Sequence, residues 1–151
     1  MIHTRDLVKE FGSFRAVDNI NLDIAKGEIF GFLGANGAGK TTTIRMLCGL
    51  LLPSSGSITV DGLDIAKHSE GVKHKIGYMS QKFSLYPDLK AIENLEFYAG
   101  IYQVPFKKAL ANIRDVMDQF GLTDILSSST GALPMGYKQR LSLVAALVHD
   151  P

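Results

Sequence analysis

Short apolar-containing runs at residues 2–10 and 20–24 predict two β-strands, joined through Phe11-Gly12-Ser13-Phe14. Lys26-Gly27 marks a turn into a third expected strand, the run Glu-Ile-Phe-Gly-Phe-Leu at 28–33. The period then changes. Ile44, Leu47, Cys48 and Leu51 recur at i, i+3, i+4 and i+7, which predicts a helix from Lys40 with one apolar face, ended by Pro53-Ser54-Ser55-Gly56. Residues 57–60 read as a strand closed by Asp61-Gly62, a hairpin-type turn towards 63–65, and 76–80 as another short strand before Gln81. Two amphipathic helices follow. Residues 91–102 align Ile92, Leu95, Ala99 and Tyr102, and 106–120 align Phe106, Leu110, Ile113, Met117 and Phe120, with Pro105 opening the second. This helical insert runs to Leu126, the Ser- and Gly-rich stretch 126–136 is expected to be loop, and 137–149 to be helical again. The chain holds no internal repeat and no low-complexity tract.

Composition narrows this α/β pattern. A length of 151 residues is that of one ordinary domain, and 46% hydrophobic residues with a mean hydropathy of +0.10 describe a globular chain. The net charge of +1 carries no electrostatic footprint for nucleic acid or an anionic membrane surface. One cysteine, Cys48, excludes an internal disulfide framework and a Cys-rich zinc site, and its place on an apolar stripe predicts an inert core thiol. The opening MIHTRDLVKEF is charged where a signal peptide needs an apolar stretch. No apolar run approaches the roughly 18 residues of a membrane span, so a soluble, cytoplasmic protein is expected. His3, His68, His74 and His149 show no metal-ligand spacing and are expected to be solvated, as is the Lys73-His74-Lys75 face.

The chemistry concentrates in Gly34-Ala35-Asn36-Gly37-Ala38-Gly39-Lys40-Thr41-Thr42, which fits G-x-x-x-x-G-K-[ST] between an apolar run and a helix. Each residue type answers a demand of a triphosphate. Glycines let the backbone curl so that successive N–H groups point inward on phosphate oxygens. The following helix adds its N-terminal donors and the positive end of its dipole. Lys40 reaches the β- and γ-phosphates, and the Thr41 hydroxyl can ligate Mg²⁺. A P-loop domain also uses a second strand ending in an acidic residue to hold the Mg²⁺ shell. None of the strands expected at 57–60, 63–65 and 76–80 runs into an acidic pair, and the chain stops at Asp150-Pro151 just after a helix. A domain cut short before that strand is expected, with an uncovered apolar sheet edge and low stability.

A P-loop alone leaves several ATPase and GTPase classes open, although the absence of an Asn-Lys-x-Asp stretch counts against a GTPase. Gln81 after a short strand, the helical insert, and then Leu133-Pro134-Met135-Gly136-Tyr137-Lys138-Gln139-Arg140 opening a helix give an order that resembles the nucleotide-binding domain of ATP-binding-cassette (ABC) transporters. FGSFRAVDNINLDIAKGEIFGFLG, TTTIRMLCGLLLPSSGSITVDG and IGYMSQKFSLYPDLKAIENLEFYAG resemble the same family over essentially the whole chain, most closely the subunits of ABC-2 type drug-export systems.

The resemblance implies a P-loop NTPase fold: a RecA-like core with an N-terminal antiparallel β subdomain and a helical insert, incomplete at its C-terminus. It divides the chain into residues 1–84 (β subdomain and P-loop core), 85–136 (helical subdomain and signature loop) and 137–151 (signature helix). It implies ATP and Mg²⁺ as ligands, cradled by residues 34–42. Phe11 would stack on adenine. Gln81 would act with Lys40 in catalysis and with Thr41 at the metal. Gly136 would meet a phosphate in a partner subunit.

The signature departs from the family's usual LSGGQ. Pro134 replaces the Ser whose hydroxyl would contact the γ-phosphate in trans, Met135 replaces a Gly, and Tyr137 replaces the Gln. A lost charge-assisted hydrogen bond is worth about 1.5–3 kcal/mol, so the trans contact is weakened on this reading. Implied partners are a second nucleotide-binding domain, in a homo- or pseudo-dimer, and transmembrane permease subunits, with no nucleic acid. These would place the chain on the inner face of the plasma membrane. Phe83, Leu85 and Tyr86 are nominated as exposed apolar contacts for the permease, with a satellite core cluster as the alternative reading of the segment. The function implied is ATP-driven export. The alternatives are a nucleotide-binding fragment without turnover and a soluble ABC ATPase with no membrane partner.

Overall fold

A computed structural model of the protein describes residues 1–80 and 84–151. These form two compact units, Met1–Ile76 and Gly77–Pro151.

The first unit is built on a hairpin of β1 (Ile2–Phe11) and β2 (Phe14–Ile24), turned at Gly12-Ser13. Both strands run further towards the turn than the sequence pattern predicts, because Phe11 and Phe14 pair directly across it. β3 (Ser55–Val60) joins the other edge of β1, and the two-residue β4 (Leu63–Asp64) follows, giving an antiparallel sheet in the order β2-β1-β3-β4. Helix α1 (Lys40–Leu47) and helix α2 (Ile65–His74) complete the unit. The core comprises Leu7 and Val17 from the hairpin, Met46 and Leu47 from α1, Ile58 and Val60 from β3, and Ile65 and Val72 from α2.

Several expectations are corrected here. The sequence pattern does not predict α2, since only Ile65 and Val72 carry its apolar face; it is set instead by Asp64, whose side chain accepts a hydrogen bond from the Ala66 N–H as an N-cap. α1 buries Thr43, Met46 and Leu47 and ends at Cys48, well before Pro53. Gly49, at φ 66°, takes the left-handed conformation that closes helices. Residues 28–33 form no strand, and Ile29 and Leu33 are 100% and 96% exposed. An apolar run becomes a strand only when a neighbour pairs with its backbone, and no strand of this sheet does so. Residues 76–80 likewise lie outside the sheet.

The second unit packs α3 (Ala91–Ile101), α4 (Phe106–Gln119) and α5 (Met135–Leu147) around Leu95, Ala99, Ile113, Met117, Leu141 and Val144. The buried face of α4 is Ala109, Ile113 and Met117, while Phe106 is exposed. A short 3₁₀ turn at Thr123–Ile125 closes the helical insert, and another at Thr130–Ala132 interrupts the stretch expected to be loop. Asn94, fully buried, ties the unit together. Its Oδ1 accepts from the Tyr86 N–H at 2.8 Å, and its Nδ2 donates to the Tyr86 carbonyl (2.9 Å), the Lys90 carbonyl (3.2 Å) and Thr130 Oγ1 (3.0 Å). His149 is also buried, stacked on Tyr102 with ring centroids 3.7 Å apart, which corrects the expectation of a solvated histidine; His3 bonds Asp23.

Asn94→Ala would strand the Tyr86 backbone groups and the Thr130 hydroxyl. It should lower stability by about 1–3 kcal/mol, read as a lower urea midpoint for the loss of helical signal; an unchanged midpoint would show that the clamp is dispensable.

Candidate phosphate-binding site

The loop at 34–42 is shaped by its junction with the hairpin. Glu10 pairs with Arg15 and Lys9 with Val17, so Ala16 is the extra residue of a bulge in β2. Gly39, the residue before α1, lies against it. At φ 79°, a Cβ on Gly39 would fall inside 3.0 Å of the Ala16 carbonyl oxygen and 3.2 Å from Val17 Cγ2. Only glycine satisfies both the left-handed backbone and the close approach. The sequence marks Gly39 as part of a motif, but its partner is a backbone oxygen, which leaves no residue-type signal.

Helix α1 begins at Lys40, and its ladder opens with the Thr43 N–H donating to the Gly39 carbonyl at 2.8 Å. The N–H groups of Lys40, Thr41 and Thr42 therefore have no intrahelical partner and stand at the loop. No acidic residue occupies the first turn to compete for them. Lys40 Nζ folds back over the loop and donates to the carbonyls of Gly34 (2.7 Å) and Ala35 (2.6 Å). Asn36, Gly37 and Ala38 form the exposed crest, with the Ala38 N–H on the Ala35 carbonyl.

Three consecutive threonines follow the lysine, and the fold separates them. Thr43 is buried with its hydroxyl donating to the Gly39 carbonyl at 3.0 Å, whereas Thr41 is exposed and its hydroxyl is available. Cys48, at the far end of α1, is removed from any such chemistry: burial pushes its thiol up to about 11.

Phe11 closes the hairpin tip. It is 50% exposed, with Lys9 Nζ 5.2 Å from its ring centroid. Phe11 pairs with Phe14, which lies two residues from Ala16, about 7 Å at strand rise, so the ring sits at the end of the hairpin that touches the loop.

The second unit holds the remaining nominated residues. Pro134 caps α5, and Met135, Gly136 and Tyr137 make its first turn, all exposed. A side chain on Gly136 would meet nothing within 4 Å, so this glycine is not required by packing. Tyr137 stacks under the Arg140 guanidinium at 4.7 Å, and Lys138 donates to the Gly131 carbonyl. Leu85 is 4% exposed and belongs to the helical core, so the core alternative holds there and its nomination as a surface contact is corrected; Tyr86 is exposed. Gln81 and Phe83 lie outside the described residues. Among the described residues no group of His, Cys, Asp or Glu forms a metal cluster, and no helix is long and apolar enough to cross a membrane.

A glycine-shaped loop, a helix N-terminus free of acid and a lysine over the loop, on a mixed α/β framework, define a P-loop nucleotide-binding domain. The comparisons agree. The family model described as "ABC transporter" matches residues 17–151. The chain is 45% identical over its full 151 residues to the probable multidrug ABC transporter ATP-binding protein YbhF of Escherichia coli (strain K12), covering 26% of that protein. It is 41% identical over 151 residues to the bacitracin transport ATP-binding protein BcrA of Bacillus licheniformis, covering 48% of it. The solved structure of an ATP-binding subunit of an ABC transporter superposes on all of the chain and 63% of itself, with a TM-score of 0.85 at 26% identity. The chain belongs to the ABC transporter family. It spans from about a quarter to a half of the length of these two curated relatives.

Gly39→Ala should force the loop away from β2 and lower Mg-ATP affinity at least tenfold, by displacing the amides that hold the phosphates. Titration of the variant tests this, and wild-type affinity would show that the contact with Ala16 does not shape the site.

Proposed function

We propose that this chain is the ATP-binding portion of an ABC export subunit. The observation that carries the reading is the loop itself: Gly39 set against Ala16, free amides at Lys40–Thr42, and Lys40 Nζ already inside the loop. Triphosphate oxygens would accept from these amides and replace the carbonyls of Gly34 and Ala35 as partners of Lys40. The exchange is favourable because a hydrogen bond to a charged acceptor is stronger than one to a neutral carbonyl. Thr41 would hold Mg²⁺, together with Gln81. Held there, Mg²⁺ would offset the charge of the phosphate oxygens. Phe11 would stack on the adenine, and Gly136 would offer its N–H to the nucleotide of a second nucleotide-binding domain. The exposed hydroxyl of Thr41 and the acid-free helix start fit such a ligand.

The names of the relatives, multidrug and bacitracin transport, support coupling of this site to export through transmembrane permease subunits, with the ATPase lying on the inner face of the membrane. The altered signature weakens the contact offered in trans. Pro134 has neither hydroxyl nor N–H, and the exposed Met135 and Tyr137 side chains stand where the family has Gly and Gln. By itself, this chain carries the binding half of the chemistry. On this reading a strand-borne acid would still be needed to complete the metal shell, and without such transition-state stabilisation the rate falls by orders of magnitude.

The test is to measure binding and turnover on the same 151-residue chain. Mg-ATP should bind without measurable hydrolysis, and Lys40→Ala should abolish the binding. Turnover of the order of 1 s⁻¹ would refute the division of labour, and unchanged affinity in Lys40→Ala would refute the site.

A further inference from the structure

Phe11 is an unusual candidate for a base platform, because an exposed ring at a hairpin tip would ordinarily be free to swing. Here something holds it. Lys9 lies two residues earlier on the same strand, and its Nζ donates to the Leu52 carbonyl at 2.8 Å. That bond anchors the ammonium on the segment following α1, and from there it reaches over the Phe11 ring, 5.2 Å from the centroid. The ring is 50% exposed.

We infer that Lys9 is a positioning residue for purine-nucleotide binding: anchored on Leu52, its ammonium caps one face of Phe11 and leaves the opposite face for the base. The inference rests on the reading of Phe11 as the base platform.

Two physical effects follow from the geometry. First, the tether restricts the ring before the nucleotide arrives, so less side-chain entropy is lost on stacking. Second, a cation on one face attracts the ring's π density, which makes the other face a better partner for an electron-rich purine than for a smaller pyrimidine. Neither effect involves the phosphates. Lys9 should therefore influence only ligands that carry a base, which separates it from Lys40.

The experiment compares Mg-ATP, Mg-CTP and Mg-tripolyphosphate titrated into the full chain and into Lys9→Met, Lys9→Arg and Phe11→Ala. In Lys9→Met, Mg-ATP affinity should fall about two- to fivefold, the range an exposed cation–π contact supports. The preference for Mg-ATP over Mg-CTP should narrow, and Mg-tripolyphosphate should bind as before. Lys9→Arg, which keeps a cation over the ring, should restore Mg-ATP binding. Tripolyphosphate serves as the internal control for folding, because general damage weakens it in parallel with ATP. Lys9→Gln replaces the Met variant if that one does not fold.

Wild-type Mg-ATP affinity in Lys9→Met, with a loss in Phe11→Ala, would overturn the role of Lys9 while leaving Phe11 as the platform. Equal losses of ATP and tripolyphosphate in Lys9→Met would also overturn it, assigning Lys9 to the fold. Unchanged Mg-ATP affinity in Phe11→Ala would remove the platform itself, and the inference with it.

Discussion

Gly39 packs against the carbonyl oxygen of Ala16 more closely than any residue with a side chain could. The other features of the site follow from that contact. It fixes where the loop ends and α1 begins, and so where the unpaired amides of Lys40, Thr41 and Thr42 stand. It also requires Ala16 to bulge out of β2, because an oxygen committed to the ladder would not be presented in the same way. The irregular register of the hairpin and the positive φ of the glycine are two sides of one constraint. The phosphate loop is held by the β1–β2 hairpin that precedes it in sequence, as well as by its own helix.

That dependence explains what the chain reveals in its residues and what it conceals. The loop is legible because a triphosphate demands particular residue types at particular spacings, and Gly34, Gly39, Lys40 and Thr41 supply them. Helices α3, α4 and α5 are legible because each buries enough apolar residues to impose its period, although the buried face of α4 turned towards Ala109 and away from Phe106. Ala16 is invisible because its contribution is a backbone oxygen. α2 is not legible in the pattern because two apolar residues and an Asp cap carry it. The stretch at 28–33 misled in the opposite direction. Its pattern is that of a strand, but pairing is a tertiary property, and Ile29 and Leu33 stand in solvent.

The three threonines after Lys40 show the same limit within the motif. By residue type Thr41, Thr42 and Thr43 offer the same hydroxyl and only the motif singles out Thr41; burial spends the Thr43 hydroxyl on the Gly39 carbonyl and leaves that of Thr41 exposed. At the other nominated positions the contrast is between packing and chemistry. Leu85 belongs to a core, while Gly136 has open space around it and no packing reason to be glycine. Family membership, shown by the match over residues 17–151, gives these positions a common context. The roles proposed for them rest on their local physics.

The central claim is that the backbone amides between Gly34 and Thr42, arranged by the Gly39–Ala16 contact, are what the nucleotide binds. Amide hydrogen exchange of the chain with and without Mg-ATP tests it most directly. The account predicts slowed exchange concentrated at the loop and the first turn of α1, with little change along α3 and α4. Unaltered exchange at the loop under saturating Mg-ATP, with protection elsewhere, would contradict it.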